Sequence, residues 1–147
     1  MTDSYFGEDN CDQVNLKDFD FPLAAFIIHQ VITARNALTF PELCQAVHFE
    51  FPEITAFWGS EELLDQKTPR IVYWVNMDRH LKETLVTLLN GQALQLAPVM
   101  DFVYHLHGFD CPYPTMMCST LPDDGRKYWC PVLIEPGFTS RKFLAGA

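Results

Sequence analysis

The chain is short of basic residues. Its 147 residues include 10 Lys and Arg against 19 Asp and Glu, which gives a formal net charge of −9. Because general phosphate binding rests on clustered cations, this composition argues against unspecific binding to nucleic acid. A glycine-rich phosphate loop, a serine elbow and a paired catalytic carboxylate motif are also missing from the sequence. We therefore expect a protein without enzymatic activity and without a cofactor.

Long apolar runs are missing as well. The first apolar stretch, residues 21–32, is too short to span a bilayer and follows acidic residues rather than a basic secretory leader. The five cysteines are an odd number at scattered positions, which favours free thiols in a reducing, cytoplasmic setting. We expect Cys44 and Cys130 to be buried thiols, and Cys111 and Cys118 to flank a proline-rich loop without forming a disulfide.

Acidic residues are concentrated in the first half of the chain. Residues 1–66 hold twelve acids against two bases, a charge of −10, and residues 67–147 hold seven acids against eight bases, a charge of +1. Residues 1–19 show no sustained periodicity and are predicted to be an acidic, mobile tail. The sequence then predicts one domain over residues 20–135 and a C-terminal tail over residues 136–147.

Two helices are predicted in the first third of the domain. Asp20 and Pro22 mark the start of the first, whose wide apolar face leads us to expect a dimer surface over residues 21–34. A short bridge or strand at residues 37–39 follows. Thr39 and Glu42 then match the capping box of a second helix. The alternation over residues 48–52 is typical of a strand, although Pro52 ends it.

A third helix is predicted from the leucine spacing after Asn76. Leu81, Leu85, Leu88 and Leu89 recur on one helical face. Asn76 is the expected N-cap, Gly91 the expected left-handed residue that ends the helix, and residues 93–96 a strand. We expect the run 71–75 to be helical and nearly continuous with this helix, although its β-branched and aromatic content also suits a strand. Ser60 is expected to cap a short acidic helix that ends at Leu64.

The last third of the sequence is less regular. Residues 98–106 fit either a helix or a strand. Asp124-Gly125 predicts a hairpin whose return strand covers residues 128–134, with Pro131 at a sheet edge or a bulge.

The order of these elements resembles that of the winged helix-turn-helix superfamily. The residues that carry the resemblance are 38–43 at the entry to the second helix, the helix over 81–91 and the Asp124-Gly125 hairpin. The resemblance implies an α/β (α+β) fold: a single winged-helix-like domain, helices first, with a small antiparallel sheet or wing towards the C-terminus. The chain departs from the pattern because about thirty residues separate the second strand from the last one.

Two functions are compatible with this resemblance. The first is a small dimeric regulator that binds nucleic acid through its recognition helix and hairpin. The residues expected to contact nucleic acid are Asn76, Arg79, His80, Lys82, Thr87, Arg126 and Lys127. The alternative is an acidic interaction module, or a nucleic-acid mimic that inhibits an enzyme, with a basic protein surface as its partner. Its expected contact residues are Phe49, Phe51, Phe57 and Trp58. Burial in the core is the commoner fate of such aromatics, and we expect it for these four.

A set of zinc-ligand residue types also occurs after residue 100. Imidazole and thiolate groups are ligands that zinc prefers, and this set comprises His105, His107, Cys111, Cys118 and Cys130. No Cys-x-x-Cys pair is present, however, and Cys130 lies in an expected strand. We therefore expect no bound metal.

Overall fold

The computed structural model describes residues 20–35, 37–54, 59–116 and 120–142. The expected tail over 1–19, Asn36, Phe57, Trp58 and Cys118 lie outside the described residues. The fold is mixed α+β, with helices first and strands towards the C-terminus. In chain order the elements are α1 Phe21–Thr33, α2 Phe40–Glu50, β1 Glu61–Leu64, β2 Ile71–Met77, α3 Arg79–Asn90, β3 Leu94–Pro98, α4 Phe102–His105, β4 Tyr128–Trp129 and β5 Val132–Pro136.

The first two helices begin where their capping residues predict. The Asp20 carboxylate accepts a hydrogen bond from the Leu23 amide at 2.9 Å. In α2 the Thr39 hydroxyl accepts from the Glu42 amide while the Glu42 carboxylate accepts from the Thr39 amide, so the predicted capping box is confirmed. These local bonds satisfy amides that have no partner inside the helix.

The apolar face of α1 is buried within the chain itself. Its core side chains are fully buried and belong to Leu23, Ala24, Ile27, Ile28 and Val31. The helix packs against α2, α3 and β5. The face on which we expected a dimer surface over residues 21–34 is therefore already covered by intrachain contacts.

Residues 48–77 differ from the sequence prediction. Residues 48–50 continue α2 instead of forming a strand, and residues 61–64 form strand β1 instead of a helix capped by Ser60. The predicted helix over 71–75 is wrong, because this run forms β2, which pairs with β1 antiparallel and with β4 parallel. Val72 and Trp74 face the core while Tyr73 faces the other side, as the two-residue period of a strand requires.

Both ends of α3 also differ in detail. The N-cap is Asp78, whose carboxylate accepts from the amides of His80 and Leu81. Asn76 instead lies within β2, at φ 55°. At the other end Gly91 has φ −83°, and Gln92 at φ 63° is the left-handed residue that turns the chain towards β3. The predicted helix and following strand are correct, but their boundary residues are shifted by one or two positions.

The strands form two small sheets, with the strand orders β1-β2-β4 and β3-β5. Leu38 and Ile134 exchange two backbone hydrogen bonds, of 3.0 and 2.7 Å, so the expected short bridge before α2 lies beside β5. The hairpin predicted at Asp124-Gly125 is wrong for the described residues, since the return strand β4 pairs in parallel with β2. Pro131 is buried at the point where the chain passes from β4 to β5.

The region 98–106, left open between helix and strand, contains the short helix α4. Tyr104 from this helix is buried beside Trp74 and Trp129, with ring centroids 5.3 and 5.2 Å away. The three rings lie in the core that joins the helices to both sheets. A short and largely exposed segment is thus attached to the domain by one large aromatic side chain.

Candidate functional site

The predicted recognition helix, α3, carries its basic residues beside a carboxylate from β1. Glu61 lies 3.8 Å from the Arg79 guanidinium and 3.2 Å from the Lys82 ammonium group. His80, the third predicted contact residue, has its Nε2 atom 2.8 Å from the Asp20 carboxylate. The structure therefore brings Arg79 and Lys82 together at Glu61, while His80 contacts Asp20, so each of the three has an acidic partner within the chain.

The charge around α3 is consequently not positive. Arg79 and Lys82 share the single carboxylate of Glu61, and three further carboxylates lie on or beside the helix, those of Asp20, Asp78 and Glu83. With histidine neutral, two cations and four carboxylates give a local charge of −2. Exposed ion pairs of this kind contribute only about 0–1 kcal/mol each, so a phosphate can compete for the cations. It would nevertheless approach a surface that lacks the positive excess on which phosphate binding depends.

The cations expected at the hairpin tip are paired in the same way. The Lys127 ammonium group lies 2.8 Å from Glu62, and the Arg126 guanidinium lies 3.6 Å from Asp124. Asp124 also receives a hydrogen bond from Arg70 at 3.0 Å. Lys127 therefore pairs with Glu62 of β1, the residue next to Glu61 in the sequence.

The two polar residues of the predicted set do not join a common site. Asn76 is exposed near the end of β2. Thr87 donates its hydroxyl to the Glu83 carbonyl oxygen at 3.0 Å, within its own helix. Such a bond back to the preceding turn uses the hydroxyl locally.

Glu62 is the centre of a small polar cluster that the sequence did not reveal. Its carboxylate accepts hydrogen bonds from the Tyr113 hydroxyl and from Lys127. Burial raises the pKa of Glu62, but these bonds and the charge of Lys127 outweigh burial and lower the pKa overall. The cluster combines the Glu62–Lys127 ion pair with a hydrogen bond that attaches the loop at Tyr113 to β1. No local sequence pattern links positions 62, 113 and 127.

The C-terminal end of α2 presents an aromatic ring beside two acids. Phe49 is 86% exposed, and Glu50 and Glu53 beside it are exposed too. We call these three residues the α2 end. The expected burial of the aromatic set is therefore wrong for Phe49, whereas Phe51 is half-buried in an edge-to-face contact with Phe26 at 5.5 Å.

The α2 end is held in place by the residues that follow it. The Ile54 amide donates to the Phe51 carbonyl oxygen at 2.9 Å, and His48 Nδ1 lies 3.1 Å from the Ile54 carbonyl oxygen. Ile54 itself is buried. The carbonyl ends of the helix backbone add partial negative charge at this point. The result is an exposed phenylalanine on a fixed, negatively charged turn.

Of the zinc-ligand residue types after residue 100, His105 is paired with two carboxylates. His105 lies between Asp101, at 3.5 Å, and Asp110, while Cys130 is half-buried rather than fully buried as expected. Among the residues that the structure describes, no group of three His, Cys, Asp or Glu side chains is arranged to hold a metal ion. Cys44 is a buried free thiol as predicted, and Cys111 is also free.

Comparison of the chain with protein-family models, curated proteins and solved structures finds no match in any of the three. None of the helices described by the structure is long and apolar enough to cross a membrane.

Proposed function

We propose that this protein is an acidic, non-enzymatic interaction module that binds a basic surface of a partner protein through the α2 end. The observation that carries the proposal is the 86% exposure of Phe49 in the last turn of α2, with two exposed acids, Glu50 and Glu53, following it in the sequence. A phenylalanine left in water forgoes about 1.5–3 kcal/mol of burial, which a partner pocket can recover. Aromatic side chains of this kind are the usual anchors of protein interfaces.

The charge of the chain defines the chemistry of the partner. Glu50 and Glu53 are exposed and follow Phe49 closely in the sequence, and the whole chain carries a net charge of −9. A cationic surface with an apolar pocket complements both features, and electrostatic attraction would speed the encounter. A nucleic-acid enzyme is one class of protein with such a surface, so inhibition by charge mimicry falls within this proposal. We place this activity in the cytoplasm.

The proposal is tested by capture of partners from nuclease-treated cell extract with two matched baits. Wild-type protein should retain a basic protein that Phe49→Ser loses, because loss of an interface anchor costs about 2 kcal/mol or more, roughly a 30-fold weaker affinity. Phe138→Ser is the control, since Phe138 is also exposed but lies after β5. Equal capture by the wild-type and Phe49→Ser baits would contradict the proposal.

A second candidate, nucleic-acid binding by a small dimeric regulator, is supported by a different observation. The bridge residue Leu38 lies between α1 and α2, β3 follows α3, and β5 bonds to both Leu38 and β3. This arrangement is what the resemblance to winged helices leads us to expect, whereas β1 and β2, inserted between α2 and α3, depart from it. The test is a gel shift on duplex DNA at low salt, compared with the double variant Arg79→Ala, Lys82→Ala. Binding that this variant abolishes would favour the second candidate, and its absence would leave the first.

A further inference from the structure

A second exposed apolar surface lies around α4, which comes later in the sequence than the α2 end. The structure shows six exposed large hydrophobic side chains among its described residues, and three of them fall within seven positions. Met100 is 70% exposed, Phe102 51% and Leu106 78%. We call these three residues the 100–106 patch. Clustered apolar exposure of this kind marks an interaction surface more often than single exposed residues do.

The geometry of α4 explains why Phe102 and Leu106 share one face. Phe102 and Leu106 are four residues apart and are joined by a backbone hydrogen bond of 2.9 Å, so their side chains are neighbours on the helix surface. Tyr104 lies on the opposite side of the same turn and is fully buried. The helix therefore turns one face to the core and the other, apolar, face to solvent.

The patch is also held rigidly. The Tyr104 hydroxyl donates to the Val132 carbonyl oxygen at 2.6 Å and accepts from the Phe40 amide at 3.2 Å. Before the helix, the Val99 amide donates to the Pro131 carbonyl oxygen at 2.9 Å. Across the helix, His105 contacts both Asp101 and Asp110. A surface ordered before binding loses less conformational entropy when a partner docks.

The charges around the patch identify the kind of partner. From Glu83 to Gly125 the sequence contains no Lys or Arg, while it contains five acids, at 83, 101, 110, 123 and 124. Two of them, Asp101 and Asp110, contact His105 at the edge of the patch. An apolar face that has two carboxylates at its edge, and no Lys or Arg in its own segment, complements a helix with leucine-like side chains on one face and Lys or Arg beside them.

We propose that the 100–106 patch is a docking site for a basic amphipathic helix of a partner protein. This site is separate from the α2 end, so the inference does not depend on the function proposed there. Phe102 and Leu106 are the anchors, and the acidic border selects a cationic helix over an anionic one.

The experiment uses the full chain and a designed probe. The probe is a fluorescein-labelled peptide of about five helical turns, about 18 residues, with leucines on one face and lysines on the other. A scrambled peptide of the same composition and a leucine-glutamate peptide are the probe controls. Fluorescence anisotropy gives the dissociation constants, and hydrogen exchange reports where the peptide protects the chain.

The expected result is binding of the leucine-lysine helix alone, with new protection over residues 100–110. Phe102→Ser with Leu106→Ser should weaken this binding by about 30-fold or more, and Leu106→Ser alone by a smaller factor. Phe138→Ser, which removes another exposed ring, should bind as wild type does. Because the substituted side chains are exposed, all variants should retain the wild-type melting temperature within about 3 °C.

Three outcomes would overturn the inference. The first is no binding by the wild-type chain, and the second is equal binding of the glutamate peptide. The third is unchanged binding by the double variant together with a loss caused by Phe49→Ser. That last result would place the cationic helix on the α2 end, so it would support the proposed function while rejecting this second site.

Discussion

Removal of the Tyr104 hydroxyl should destabilise the protein far more than the loss of one oxygen atom suggests. Phe40 is the first residue of α2, so its amide has no partner within that helix and depends on the Tyr104 hydroxyl. The carbonyl oxygen of Val132 accepts from the same hydroxyl. Val132 lies two residues before Ile134 in β5, so its carbonyl oxygen points to the same side of the strand as that of Ile134, away from β3. Tyr104→Phe leaves both backbone groups buried and unpaired.

The magnitude follows from the cost of such groups. An unsatisfied buried donor or acceptor costs about 1–3 kcal/mol, so two of them should lower the free energy of unfolding by about 2–6 kcal/mol. For a chain of this length that corresponds to a fall of about 6–18 °C in melting temperature. The assay is thermal and urea unfolding of wild type and Tyr104→Phe, followed by circular dichroism.

Tyr128→Phe is the matched control. Its hydroxyl donates to the Asp124 carboxylate at the surface, at 2.5 Å, where water can replace the lost bond. This variant should change stability by less than about 1 kcal/mol. If Tyr104→Phe and Tyr128→Phe unfold at the same temperature, the two buried hydrogen bonds do not anchor α4, and the rigidity assigned to the 100–106 patch would be rejected as well.

Three further predictions concern pH, thiol reactivity and a close backbone contact. Burial raises the pKa of Asp20, but the hydrogen bonds of its carboxylate with His80 and the Leu23 amide lower the pKa overall, below the ordinary 3.8. The ionised carboxylate therefore stabilises the fold at neutral pH, and this stabilisation is lost as the pH falls below about 4. Urea unfolding at pH 5 and pH 3 should accordingly show a smaller loss of stability for Asp20→Asn than for wild type. Burial raises the pKa of the Cys44 thiol to about 12 and that of the Cys111 thiol to about 11. When the native protein is treated with iodoacetamide, mass spectrometry should therefore find Cys44 unmodified at a time when Cys111 has reacted. A Cβ atom on Gly59 would lie 2.0 Å from a carbonyl oxygen of β2, so Gly59→Ala should cost roughly 2–4 kcal/mol in urea unfolding, whereas Gly91→Ala, with 3.4 Å of space, should cost under about 1 kcal/mol.

Local signals in the sequence predicted the helices but not all of their neighbours. The caps at Asp20 and Thr39 act over three or four residues, and the leucine spacing of α3 acts over one helical face, so both can be recognised without tertiary information. The run 71–75 was predicted wrongly because its spacing also fits the helix that follows, and its β-branched and aromatic content was given less weight than its pairing with β1 and with the distant β4 requires. Tertiary pairing decides the conformation there.

The candidate site was less predictable than the fold. Arg79 and Lys82 were recognisable as cations on the polar face of a helix, but Glu61, which pairs with both, lies in a strand that the sequence pattern did not indicate. The exposure of Phe49 could not be predicted from its residue type either, because the nearby Phe51 is also a phenylalanine and is half-buried. Which aromatic faces solvent depends on how the turn after α2 packs.

Capture of partners with and without nuclease tests the central claim most directly, because it separates a protein partner from a nucleic-acid bridge. Wild-type bait is incubated with cell extract at low salt, with Phe49→Ser and the double variant Arg79→Ala, Lys82→Ala as parallel baits. We expect a basic protein that is retained after nuclease treatment, lost with Phe49→Ser and unaffected by the double variant. Recovery that requires intact nucleic acid and is abolished by the double variant would contradict binding through the α2 end and favour the regulator that binds DNA.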